Sequence, residues 1–212
     1  MVLLVSMKSK YRPVKSLSNA IPFTWQDHHF VNHLPALDFA NTVVYRGRPD
    51  RREDRVMSLV DLDKWRRFAG TGLGPPRASF RQVFQVRETI DRFFRHAAGG
   101  SPVGTDFRRL IRLYARHGPI SALAKTGQGI RLRHTAHPAG RPSFLAGILQ
   151  SAVELAFSPS LERVKICPAC GWLFIDRTRN RSKRWCITAL CGNRSKMHRH
   201  YRRQRSRTST SP

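Results

Sequence analysis

The chain has 212 residues, and 39 Lys and Arg against 13 Asp and Glu give it a formal charge of +26. So basic a chain seeks polyanions, which puts nucleic acid ahead of cationic or neutral partners. The longest apolar runs fall short of the roughly 18–20 residues that cross a bilayer, and the apolar opening Met1–Ser6 is brief and leads into Lys8, Lys10, Arg12 and Lys15, so neither a membrane span nor a signal peptide is expected.

In chain order, residues 1–24 read as a basic, disordered tail, and residues 25–158 as one mainly helical domain of ordinary size. Pro35 can open a helix, with Leu34, Leu37, Ala40 and Val44 at helical spacing. Ser58 to Asp61 has the pattern of a helix cap before Leu62, Trp65 and Phe68, and Gly70 closes that element. From Ala78 to Ala98 a broad apolar stripe of Phe80, Val83, Phe84, Val86, Ile90, Phe93, Phe94 and Ala97 alternates with Arg81, Arg87, Arg92 and Arg95. A further helix is expected over Asp106 to Arg116. Residues 119–135, with Gly127, Gly129 and the alternation Ile130-Arg-Leu132-Arg-His134, predict a small hairpin. Pro142 then opens a last helix through Leu149, Val153 and Ala156, and Ser158-Pro-Ser160 marks the boundary before the next module.

This domain shows no catalytic pattern, and the expectation is that the protein is not an enzyme. Asp38, Asp61, Asp63 and Glu88 have no spacing that pairs two carboxylates on one face, and His28, His29 and His33 lack a Cys or acidic partner at ligand spacing. Neither a Gly-rich phosphate loop nor a nucleophile motif is present. Asp38, Asn41 and Arg46 form a polar trio on an otherwise apolar segment. They are candidates to line an effector pocket, the alternative being that Asp38 and Asn41 cap and brace local backbone.

All four cysteines fall late in the chain, as Cys167-Pro-Ala-Cys170 and Cys186-Ile-Thr-Ala-Leu-Cys191 with fifteen residues between the pairs. Two close pairs at such a separation suit four thiolates around one tetrahedral Zn²⁺. Two disulfides are the competing reading, but disulfide frameworks belong to secreted chains, and no signal peptide is expected here. One structural zinc ion held by Cys167, Cys170, Cys186 and Cys191 is therefore expected. Gly171 allows a tight turn, and Trp172 to Ile175 has strand composition with Trp172 and Phe174 on one face. A hairpin turn at Asn180 would return the chain through Lys183-Arg184-Trp185 to Cys186, and Gly192 and Asn193 would start a helix to about Arg205. In that helix Met197 and Tyr201 are expected to pack back toward the metal. Knuckle, hairpin and ligand-bearing helix resemble a treble clef, spanning residues 161–205, and residues 206–212 read as a disordered end. The fold class is thus α+β: a mostly helical N-terminal domain with a small β-hairpin, and a C-terminal treble-clef-like zinc finger with four cysteine ligands.

Residues 161–212 carry 14 basic and 2 acidic side chains. Candidate nucleic-acid contacts are Arg177, Arg179, Arg181, Lys183, Arg184, Asn193, Arg194, Lys196, Arg199, Arg202 and Arg203. Arg194, Lys196 and Arg199 would lie nearest the bases and the later arginines on phosphates. Like charges one turn apart destabilise a free helix, so their density calls for a polyanion that relieves the repulsion.

The run Cys167-x-x-Cys170-Gly-Trp-Leu-Phe-Ile-Asp-Arg, then Arg184-Trp-Cys186 and Cys191-Gly-Asn-Arg194-x-Lys196, resembles the CGNR zinc finger of bacterial transcription regulators. The stretch His33-Leu-Pro-Ala-Leu37-Asp-Phe-Ala-Asn41-Thr-Val, with Asp61-Leu-x-x-Trp65 downstream, resembles the ABATE domain that precedes this finger. The resemblance covers roughly residues 25–205 and implies a stress-linked, DNA-binding bacterial regulator; with neither membrane span nor signal peptide expected, a cytoplasmic, nucleoid-associated location is expected. Its partner is expected to be double-stranded DNA, with structured RNA or the ribosome as the alternative, because Trp172, Phe174 and Trp185 could stack on bases. One zinc-module helix reads only about 3 or 4 base pairs, so a homodimer through the upstream domain is expected as well, with effector sensing a second role for that domain.

Overall fold

The computed structural model describes residues 23–118, 121–126, 129–134 and 143–208. Four helices build the body: α1 (Pro35–Ala40), α3 (Phe80–Gly99), α4 (Gly104–His117) and α5 (Phe144–Ala156), with α2 (Leu59–Phe68) against one side. α1, α3 and α5 pack on one another, and α4 lies across α3 and α5.

The starts of α2, α3 and α5 are set by serine caps. The Ser79 hydroxyl at the start of α3 accepts from the Gln82 N–H while the Gln82 side chain accepts from the Ser79 N–H, and Gly100 ends the helix at φ +71°; that left-handed conformation favours glycine. In α2 the Ser58 hydroxyl accepts from the Asp61 N–H and the Asp61 carboxylate accepts from the Met57 N–H, as the cap pattern predicts. α5 is capped by Ser143, while Pro142 lies outside the described residues. The inward faces of α3 (Val83, Val86, Ile90, Phe93, Phe94) and α5 (Phe144, Ile148, Leu149, Ala152) meet Leu37, Phe39, Leu62 and Trp65 in one core.

Among the described residues, three two-stranded antiparallel ladders accompany the helices. β1 (Val43–Val44) pairs with β2 (Glu53–Asp54), β3 (Ser121–Thr126) with β4 (Gly129–His134), and β5 (Val164–Ile166) with β6 (Leu173–Ile175). The β3–β4 ladder, Ser121 opposite His134 through Thr126 opposite Gly129, lies where the hairpin was expected.

Two expectations are corrected. Val44 is in β1 and not on a helix: α1 stops at Ala40, with Asn41 as its C-cap. The strand after the knuckle pairs backward with β5, Lys165 opposite Phe174, and not forward with residues 183–185. The reason lies in Asp176, whose carboxylate accepts from the Thr178 N–H (3.0 Å), the Lys183 N–H (2.9 Å) and Lys165 Nζ (2.6 Å). The segment after β6 is thereby folded round one buried acid instead of extended as a partner strand.

Candidate metal centre and its basic face

The knuckle is a tight loop closed at both ends. The Cys167 N–H donates to the Trp172 carbonyl and the Gly171 N–H to the Cys167 carbonyl, both at 2.8 Å, with Gly171 at φ +77°. A side chain at Gly171 would be strained by that φ. The second cysteine pair is brought in by a turn over Thr188–Gly192, in which the Cys191 N–H donates to the Ile187 carbonyl at 2.8 Å; α6 (Asn193–Thr208) follows directly.

All four cysteines are buried, and their sulfurs lie within 4.8 Å of one another. Two sulfur–sulfur distances are 3.5 Å (Cys170–Cys186) and 3.6 Å (Cys186–Cys191). A disulfide needs about 2.05 Å, whereas a tetrahedron with Zn–S bonds of about 2.3 Å has edges of about 3.8 Å. The spacing fits the metal and excludes disulfides, and all four thiols are free. Hydrogen bonds from the other three sulfurs, chiefly Cys170, hold the Cys167 thiol far below its ordinary range. Four thiolates at this separation require a cation. The set can hold one zinc ion.

A second apolar cluster surrounds the sulfurs: Val44, Trp172 and Phe174 are buried against them, with Tyr45, Trp185 and Ile187 half-buried around the edge. Leu173, between Trp172 and Phe174, points the other way and belongs to the main core. β6 therefore serves two cores through its alternating faces. Its backbone is held from the helical side. Asn41 donates to the Leu173 carbonyl (2.8 Å) and accepts from the Leu173 N–H (2.9 Å), and Asn32 does the same for the Leu173 carbonyl (3.1 Å) and the Ile175 N–H (3.0 Å). Arg95 on α3 donates to the Gly171 carbonyl at 2.6 Å and pairs with Asp91.

These contacts account for the polar trio of α1 and its surroundings. The Asp38 carboxylate is buried and accepts from the Asn32 N–H, Asn32 Nδ2 and the Leu34 N–H; burial pushes its pKa up against those hydrogen bonds. Asn41 is spent on Leu173, and Arg46 makes a two-pronged pair with Glu88 (2.6 and 3.0 Å) and an ion pair with Asp91 (3.1 Å). The three side chains brace backbone and ion pairs. The histidines are not ligands to a common site either: His29 is buried, with Nδ1 accepting from the Gln26 N–H at 2.9 Å, and among the described residues the four cysteines form the one metal-holding cluster.

The basic residues divide by location. Arg177 donates to the Asn32 carbonyl (2.7 Å) and, with Arg179, lines a cleft shared with Glu154. Arg181 pairs with Glu162, Lys183 lies over the Phe174 ring and Arg184 over the Trp185 ring. Asn193, Arg194, Lys196 and Arg199 lie on α6, all exposed but for the half-buried face at residue 195 between them; Arg202 and Arg203 follow on that helix, their side chains outside those described. Met197 and Tyr201 correct an expectation: they are 57% and 59% exposed, because among the described residues the main packing of α6 is against the metal turn that precedes it.

The sequence reading missed the basic wall opposite α6. A cleft of about 280 Å³ opens between the β1–β2 turn, the knuckle and α6, with Arg48, Arg51, Arg194 and Arg199 on its sides. The signal was present as the run Arg46-x-Arg48-x-x-Arg51-Arg52, but nothing in its spacing ties it to a finger some 120 residues later.

Compared with known proteins, residues 34–159 match the family ABATE, described as "Putative stress-induced transcription regulator", and residues 163–204 match the CGNR zinc finger. Among curated proteins no relative matches.

Proposed function

Since this chain belongs to the ABATE family and carries a CGNR zinc finger, we propose that it is a zinc-dependent, DNA-binding regulator of transcription that contacts duplex DNA with the first turns of α6. The observation that carries this reading is the helix itself. It departs from the metal turn with Asn193, Arg194, Lys196 and Arg199 exposed, and the chain has no acidic residue after Asp176. Arginine forks fit phosphate oxygens and the guanine edge two at a time. With about 6 to 8 phosphate contacts, affinity falls with salt at a log–log slope of roughly −5 to −7.

The reading includes a homodimer, because a helix that specifies about 3 or 4 base pairs cannot single out one promoter among on the order of 10⁶ competing sites. RNA binding by base stacking has less support: Trp172 and Phe174 are buried at 5% and 1% exposure, and Trp185 is half-buried beside the sulfurs.

The test is selection of random duplex DNA by the zinc-loaded protein at physiological salt, followed by sequencing. An enriched two-fold symmetric motif is expected, with a dimer on it by light scattering. Binding that is insensitive to salt, or no binding to duplex at all, would overturn the reading.

A further inference from the structure

Taking the DNA reading as its premise, we propose that the cleft between the β1–β2 turn and α6 is a clamp for the phosphodiester backbone of duplex DNA, with Arg48 and Arg51 of the helical domain facing Arg194 and Arg199 of the finger. The interface would then be composite, and the helical domain would supply a fixed second jaw beside the reading helix.

The charge distribution carries the inference first. Elsewhere the molecule spends its few acids on its arginines: Asp54 on Arg87, Glu88 on Arg46, Asp63 on Arg66 and Arg67, Asp106 on Arg92. In the cleft it does not. No acidic residue lines it, and none of its four arginines has a carboxylate within ion-pair distance among the described residues. Like charges gathered on a surface without counter-charge repel, and an anion seated between them removes the repulsion.

The arginines are also placed by structure. The Arg48 N–H donates to the Tyr45 carbonyl (2.8 Å) and the Arg51 N–H to the Arg48 carbonyl (3.0 Å), which closes the turn that presents both side chains. Tyr45 is the pivot. Its N–H donates to the Cys170 carbonyl at 2.8 Å, Arg51 sits 4.6 Å above its ring, and its hydroxyl accepts from Arg194. Tyr45 holds a left-handed backbone, φ +53°, that a residue of this size rarely adopts. One residue thus locks the turn to both the knuckle and the start of α6.

The shape suits a linear polyanion better than a small effector. At about 280 Å³ the cleft is at the small end of ligand-binding clefts and cavities, which run about 300–1,000 Å³. Beside the four arginines its lining is Pro168, Ala169, Ser195 and His198, with no carboxylate to orient a cationic group. Phosphate contacts position a protein without reading sequence, so the clamp should add affinity equally on all duplexes.

The experiment compares the zinc-loaded full chain with an Arg48→Ala/Arg51→Ala variant by fluorescence anisotropy on labelled duplexes of unrelated sequence, across a salt series. Loss of two phosphate contacts should make the log–log slope shallower by about 1.8 and weaken binding about 30-fold near 0.15 M salt, equally on every duplex and with zinc content unchanged. Should the alanine pair lose zinc, an Arg48→Gln/Arg51→Gln variant decides on the same slope. Wild-type slope and affinity in the zinc-replete variant would overturn the clamp and leave the DNA reading intact. No salt-dependent duplex binding by the wild-type protein would overturn both. A larger loss on structured RNA than on duplex would overturn the assignment to DNA.

Discussion

His29 shows what a single residue contributes to this junction. Its ring is packed among Phe23, Trp25 and Trp172, with centroids 5.1, 5.6 and 6.2 Å away. Burial, reinforced by the charges of Arg55 and His28, lowers its pKa from 6.5 to about 4, so the folded protein keeps the ring neutral. A histidine with a depressed pKa contributes its full stability above pH 6.5 and loses it as pH falls toward 4, because only the unfolded chain takes up the proton in that window. The melting temperature of the wild type should therefore fall more steeply between pH 6.5 and 4 than that of His29→Gln. Taking the difference between the two curves cancels the pH dependence of the zinc thiolates. Arg87 shows the limit of reading residues alone. Its place among apolar neighbours suggests a solvent-facing cation, yet it is 1% exposed, gripping Asp54 at 2.8 and 2.5 Å and Thr42 at 3.0 Å. Its acid lies on a short strand in another element, and no local pattern announces that partnership.

At the scale of elements, β6 joins the two halves of the molecule. Trp172 and Phe174 on one face close the sulfur cluster, and Leu173 on the other fills the helical core. Strand alternation made the pairing of Trp172 with Phe174 legible. The fate of Leu173 was not, since alternation says which residues share a face but not what each face meets. The fixing groups are Asn32 and Asn41, which replace the ladder bonds a third strand would have supplied to Leu173 and Ile175. Asn41→Ala leaves a buried N–H without a partner and removes one of two bonds to the Leu173 carbonyl, so it should cost about 3 kcal/mol in urea unfolding. A cost below about 1 kcal/mol would show that Asn41 does not hold the strand. The same dual use explains why Asp38 and Asn41 looked like pocket residues: polar side chains on an apolar helix need partners, and here the partners are backbone groups.

At the scale of the whole molecule, the shared core couples metal to fold. Main-core residues include Val164 and Leu173 from the finger beside Leu37, Ile90 and Phe144 from the helices. Zinc binding supplies folding energy to whatever unfolds with the site. Chelation should lower the melting temperature of the entire chain in one transition, seen alike in helical circular dichroism and in tryptophan fluorescence. Two separate transitions, with the helical one unmoved, would show instead that the finger folds alone. Much of this protein was determined by sequence: cysteine spacing is a local property that specifies the metal site, and helix caps and apolar periodicity act within a few residues of where they are read. Only the tertiary structure decided that β6 pairs backward, that Asn41 and Arg46 serve internal bonds, and that Arg48 and Arg51 face the finger helix. Each of those depends on contacts between residues far apart in the chain, whose free energy is set by burial and charge in three dimensions and leaves no periodic trace in one.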